Sequence, residues 1–236
     1  MKEVKPAATI LLGRDNDGDF EVLLLRRNKA LAFAGGLWVF PGGKIEPEEK
    51  SLAKDDLEAA KLAAVRETKE EANLDISTDA LIFYRHWTTP VVEPRRYATW
   101  FFFADANRGD TEVTIDDSEI KEHLWINPQE ALDRFGKGEM AMLPPTFMSL
   151  QLIRKCKSVE EALELMIAED PIFILPVLQQ NGTTMTVLYE GDAGYESGDF
   201  SKKGAKHRLS IDMIKGKALF EYENCDFPPV NGGNDL

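Results

Sequence analysis

The strongest constraint on this chain lies in residues 40–74, which open Phe40-Pro41-Gly42-Gly43 and close on Arg66-Glu67-Thr68-Lys69-Glu70-Glu71. Pro41 fixes one backbone dihedral and the two glycines admit conformations that other residues resist, so the opening is a turn. Leu62, Ala63, Ala64 and Val65 then lead into alternating charge, which reads as a helix. Helical positions three and four apart share a face, so Glu67, Glu70 and Glu71 converge within one turn. Each like-charged pair at that spacing costs about 0.2–0.5 kcal/mol. A hard divalent cation with oxygen ligands would relieve the conflict. The plain alternative is a solvated acidic face with Lys69 as its counter-charge. The glycine turn and Arg66 weigh toward a metal site.

The stretch resembles the Nudix box, G-x5-E-x7-R-E-U-x-E-E-x-G-U, where U is a bulky apolar residue. Counting back from Arg66, seven intervening residues reach Glu58, and Gly43 is the opening glycine. Fourteen residues separate Gly43 from Glu58 where the pattern has five, so the box carries nine extra. Thr68 stands where the pattern is apolar and Asn73 where it has glycine. Asn is the next best residue for a left-handed helix C-cap. Glu58 also lies three residues after Asp55, so a capping-box partnership at the helix start is its structural alternative.

The resemblance implies an α/β (α+β) fold: a Nudix-type mixed sheet sandwiched between helices. It further implies an enzyme that cleaves a diphosphate linkage with divalent cations, Mg2+ or Mn2+. Carried over by position, Glu67, Glu70 and Glu71 would be metal ligands, with the carbonyl oxygen of Gly42 as another. Arg66 would orient Glu67 by a salt bridge; an ordinary pair with Glu70 is compatible with that role. Many Nudix enzymes take one more carboxylate from a loop after the box. Residues 116–122 are the source here, with Glu119 preferred to Glu122 and an acidic surface loop as the alternative.

Arginine suits phosphate because its planar fork donates two parallel hydrogen bonds. Arg26, Arg95 and Arg96 are the candidates for substrate, with Arg27 and Arg85 in the same class. His86, His123 and His207 have no partner spacing and read as structural. Core packing is the expectation for Trp38, Trp87 and Trp100.

Along the chain, residues 7–12 and 20–25 read as strands of a hairpin around Asp15-Asn16-Asp17-Gly18. Strands are expected at 80–87, 97–104 and 124–127, and a helix at 128–135 opened by Asn127-Pro128. The character changes after Leu143-Pro144-Pro145-Thr146. Helices at 147–155 and 158–168, strands at 173–178 and 184–189, a glycine-rich loop at 191–204 and a hairpin of 208–214 with 218–222 follow; 228–236 reads as a frayed end. The expected organisation is a Nudix domain over 1–154 and a C-terminal helical and β-hairpin appendage over 155–236, packed on it.

A net charge of −13 argues against general nucleic-acid binding, which relies on basic surfaces. It leaves room for a small-molecule diphosphate held by local arginines and a metal. No apolar run approaches the roughly 18–20 residues of a membrane span, and residues 1–6 lead into no signal-peptide core. Cys156 and Cys225 form no ligand pattern and read as reduced thiols, so the expected location is the cytoplasm. The resemblance also makes a homodimer a candidate state.

For the substrate, Trp87-Thr88-Thr89-Pro90, Pro94-Arg95-Arg96-Tyr97 and Leu143-Pro144-Pro145-Thr146 add to the interrupted box. Together they resemble the Nudix branch of peroxisomal coenzyme A diphosphatases and their bacterial relatives. That branch implies hydrolysis of coenzyme A or acyl-CoA to phosphopantetheine and 3′,5′-ADP. The threonine and serine-rich lead-in of the other CoA-cleaving Nudix group is absent. Three alternatives stand: a hydrolase of ADP-ribose, NADH or a dinucleoside polyphosphate, a non-catalytic Nudix-fold ligand sensor, and a structural or partner-binding role for the tail.

Overall fold

Strand β1 (Val4–Asn16) is buried continuously from Ala7 to Gly13. A strand covered on both faces belongs at the centre of a sheet with layers on either side. In the computed structural model, which describes residues 3–232 apart from 108, 110, 116, 169, 213 and 214, β1 holds that place. It pairs antiparallel with β2 (Asp19–Arg27) through a two-residue turn, Asp17-Gly18, both with positive φ. That is the geometry a tight hairpin with right-handed strand twist demands.

β1 also pairs with β4 (Gly42–Lys44), antiparallel, and along its opposite edge with β6 (Arg96–Asp105), parallel. β6 pairs with β5 (Ile82–Thr88), while β2 carries β3 (Trp38–Val39) and β7 (Ile120–Ile126). Along β1 the side chains alternate: Ala8, Ile10 and Leu12 enter one apolar cluster and Leu11 enters the other.

The first cluster is closed by helix α2 (Asp56–Ala72), which presents Ala59, Ala60, Ala63 and Ala64 to the sheet. Asp55 caps it by accepting from the Glu58 N–H at 2.8 Å. Asn73 ends it in the left-handed conformation, φ 58 and ψ 26, as its place in the pattern requires. Thr68 is fully buried because its hydroxyl donates to the Ala64 carbonyl at 2.8 Å, one turn back, leaving only a methyl to pack. The segment between turn and helix contains a short helix, α1 (Pro47–Leu52).

The opposite face carries α3 (Pro128–Gly136), α4 (Pro144–Ile153) and α5 (Val159–Ala168). Asn127 caps α3 as expected, and Asp15 of the first hairpin accepts from the Val159 N–H at 2.9 Å, tying α5 to the sheet. The strand expected at 173–178 is broken at Leu175-Pro176, where proline supplies no N–H. Its first half, β8 (Ile172–Ile174), adds to the main sheet parallel to β5. Its second half, β9 (Val177–Asn181), starts a separate antiparallel sheet with β10 (Thr184–Leu188), β11 (Lys206–Asp212) and β12 (Lys217–Glu223). Residues 213 and 214 of the expected strand at 208–214, and 233–236 of the frayed end, lie outside the described residues.

Val187, Leu209 and Ile211 of this second sheet share the large apolar cluster with Leu11 and Phe147. The tail is thus continuous with the main core. Among the described residues no helix is long and apolar enough to cross a membrane.

A buried pair pins the tail's glycine-rich loop: Arg208 binds Asp192 through Nε and Nη2, at 2.7 and 2.6 Å, with side chains 7% and 0% exposed. The second Asp192 oxygen also accepts from the His207 N–H. Breaking one side of such a pair strands a charge. Asp192→Asn is expected to cost about 3–5 kcal/mol in urea unfolding, whereas an exposed pair would cost under about 1 kcal/mol.

Candidate active site

The site begins at residues 40–43. A Cβ on Gly43 would collide with the Glu67 carboxylate, and one on Gly42 with the backbone of Ala8 and Thr9, so only glycine lets the turn slide between β1 and α2. This close approach puts the Gly42 N–H 2.9 Å from Glu71 Oε2. The alanine face of α2 permits it, because small side chains keep the helix near the sheet.

Arg66 sits at the centre. Its Nε donates to Glu49 Oε1 at 2.5 Å, its Nη1 lies 3.0 Å from Glu67 and 2.9 Å from Glu70, and its Nη2 donates to the Lys44 carbonyl at 3.0 Å. Burial opposes its charge, but Glu49 and Glu67 outweigh that and raise its pKa further. Burial pushes the Glu67 carboxyl up, partly offset by Arg66. Glu71, 6% exposed, is driven up to about 8, first by burial and then by Glu67 and Glu119, against the Gly42 N–H and Arg27. Arg27 bridges Glu71 at 3.6 Å and Glu119 at 3.2 Å.

Glu49, not Glu58, is the carboxylate that anchors Arg66. Counting forward from Gly43, five residues lead to Glu49, so the opening half of the pattern is intact and the extra residues fall between Glu49 and Arg66. Glu49 is 7% exposed and also accepts from the Glu46 N–H at 2.6 Å, closing a capping box on α1. Glu58 is spent at the start of α2, accepting from the Lys54 N–H at 2.8 Å. The backward count from Arg66 misses this; the forward count finds it.

The arginines divide into those that line the cavity and those that do not. Arg27 and Arg95 line the cavity above the carboxylates. Arg26 faces elsewhere, paired at 2.8 Å with Glu122, its register partner on β7. Arg96 is buried and its Nε donates to the Thr89 carbonyl at 3.1 Å, holding the loop between β5 and β6. Arg85 is likewise buried, donating to the Tyr84 carbonyl. Arg26 and Arg96 are therefore not placed to touch a ligand in this cavity, and neither is Glu122; Glu119 lines it. Trp38 packs in the core, Trp87 is buried at the cavity wall, and Trp100 joins Phe83, His86 and Phe173 in an aromatic cluster elsewhere. His207 is buried in the tail.

Glu67, Glu70 and Glu71 are oxygen donors within one helical turn, the ligand type that hard divalent cations take. Burial raises the Glu67 and Glu71 carboxyls and is only partly offset by Arg66 and Arg27, which fits a cation in kind. Among the described residues their oxygens do not surround one point, because Arg66 draws Glu67 and Glu70 and Gly42 draws Glu71.

Residues 4–144 match the NUDIX domain. The chain belongs to the Nudix family. It is a hydrolase of the diphosphatase type, and Nudix enzymes generally use divalent metals. Over 211 residues it is 26% identical to "Putative nudix hydrolase 7" of Caenorhabditis elegans, covering 74% of this chain and 69% of that protein. Over 75 residues it is 35% identical to the acyl-coenzyme A diphosphatase NUDT19 of Gallus gallus, spanning 30% of this chain and only 20% of that protein. A crystal structure of a NUDIX hydrolase from Alicyclobacillus acidocaldarius shares the fold, with a TM-score of 0.60 at 23% identity, over 70% of this chain and 96% of that one.

The two glutamates before α2's acidic turn are separable by stability. Glu49→Gln removes a charged partner of a half-buried arginine and is expected to cost about 1.5–3 kcal/mol in chemical denaturation. Glu58→Gln, at an exposed cap, is expected to cost less than about 1 kcal/mol.

Proposed function

We propose that the chain hydrolyses coenzyme A or acyl-CoA to phosphopantetheine and 3′,5′-ADP by attack of water on a diphosphate phosphorus. The observation that carries the reaction type is the convergence of Glu67, Glu70, Glu71 and Glu119 at one end of a cavity of about 970 Å³. The interrupted box and the partial similarity to the chicken acyl-CoA diphosphatase support the choice of substrate.

Glu67, Glu70, Glu71 and the Gly42 carbonyl oxygen would hold Mg2+ or Mn2+. When bound, such ions neutralise diphosphate charge and lower the pKa of water. The chain's own groups do the rest. Gly43 leaves room for the Glu67 carboxylate, and Arg66 orients it. Glu67 takes the proton of the attacking water, with Glu119 as the second carboxylate close enough to receive it or to add a ligand. The new P–O bond forms from water as the anhydride P–O bond breaks, and the departing phosphate carries the negative charge. Arg27 and Arg95 meet phosphate oxygens from the cavity wall. Residues 1–154 form the catalytic unit in this reading, with 155–236 an appendage packed on it.

The test is product analysis with Mg2+ or Mn2+ on CoA, ADP-ribose, NADH and a dinucleoside polyphosphate. Release of 3′,5′-ADP from CoA is expected, abolished by EDTA and reduced at least about 10²-fold in Glu67→Gln and Glu70→Gln. Cleavage of ADP-ribose or NADH alone would keep the carboxylate chemistry and remove the CoA assignment. Ligand binding with no metal-dependent cleavage would replace the enzyme by a sensor.

A further inference from the structure

The cavity does not end at the carboxylates. Lys44, Ala7, Thr99 and Trp87 form one cross-strand row over β4, β1, β6 and β5, and all four line it. Three strand steps of about 4.8 Å carry it roughly 14 Å from the glycine turn. Beyond Trp87 the wall changes owner. The Trp87 ring lies 6.0 Å from that of Tyr189, and the wall continues onto Leu178, Met185 and Val187 of the tail. Leu178 and Val187 are a cross-strand pair, and Met185 lies two residues from Val187 on the same face of β10. Leu178, Met185 and Val187 carry no charge and no strong hydrogen-bonding group.

A diphosphate held by the carboxylates reaches this wall only through a long, narrow substituent. An extended chain advances about 3.5 Å per three bonds, so 14 Å needs about twelve. From phosphorus to sulfur a pantetheine arm has about thirteen bonds, which brings its thiol to the tail's sheet. Resting on the CoA reading above, we propose that Leu178, Met185 and Val187 form an acyl subsite. The C-terminal sheet then makes the enzyme prefer acylated over free coenzyme A.

The experiment is a chain-length series of free CoA, acetyl-CoA, hexanoyl-CoA and decanoyl-CoA with the full chain and saturating Mg2+. In the wild type kcat/KM is expected to rise by up to about fourfold per buried methylene until the subsite is filled. The ratio of decanoyl-CoA to free CoA is expected to fall at least tenfold in Met185→Asn and in Leu178→Gln, and to recover in Met185→Leu. Leu219→Asn, on an exposed position of β12, is expected to match the wild type. Equal kcat/KM for free and acylated CoA in the wild type would overturn the subsite and leave the CoA reading standing. A preference untouched by both variants would overturn the assignment of these residues. Cleavage of ADP-ribose with none of any CoA species would overturn both readings.

Discussion

The set of bonds made by one guanidinium, Arg66, joins three elements at a single point. Glu49 belongs to α1, Glu67 and Glu70 to α2, and the Lys44 carbonyl to β4. With four acceptors around it the arginine is locked, and Glu67 is held beside Gly43. Loss of Glu49 leaves the cation half-buried with fewer partners, a cost that grows with desolvation. The insertion in the box is tolerated because it falls after Glu49, in α1 and the turn that follows, and leaves both ends of this linkage in place.

A second linkage runs through small residues. Four alanines let α2 sit close on β1 and β4, and Gly42 and Gly43 let the turn pass beneath its last turns. Close approach then buries Glu71 against the Gly42 N–H, and burial raises its carboxyl well above the usual range. Packing and charge are thus coupled: the same close approach that shapes the site buries the Glu71 carboxylate beyond what the Gly42 N–H and Arg27 offset.

The tail extends this logic from reaction to substrate. Pro176 interrupts what the sequence reads as one strand and sends its halves to two sheets. One half completes the main sheet beside β5; the other begins the sheet whose inner face closes the far end of the cavity. The buried Asp192–Arg208 pair ties the glycine-rich loop to β11, and Val187, Leu209 and Ile211 seat that sheet on the apolar cluster it shares with Leu11 and Phe147.

Much of this was legible in the chain itself. Local rules suffice for the Asp17-Gly18 turn, the Asp55 and Asn127 caps, the left-handed Asn73 and the carboxylate face of α2, since each depends on neighbours within about four residues. The pattern of residues 40–74 likewise gave the family. Other features needed the folded molecule. Whether Glu49 or Glu58 meets Arg66 depends on where α1 packs, and both satisfy a spacing. Arg27 rather than Arg26, and Arg95 rather than Arg96, line the cavity: a register irregularity separates the first two, Arg95 sits in the loop before β6, and such one-residue choices are invisible until pairing is fixed. Least legible was the tail's wall on the cavity, a contact between residues some eighty or more positions apart, which only tertiary packing brings together.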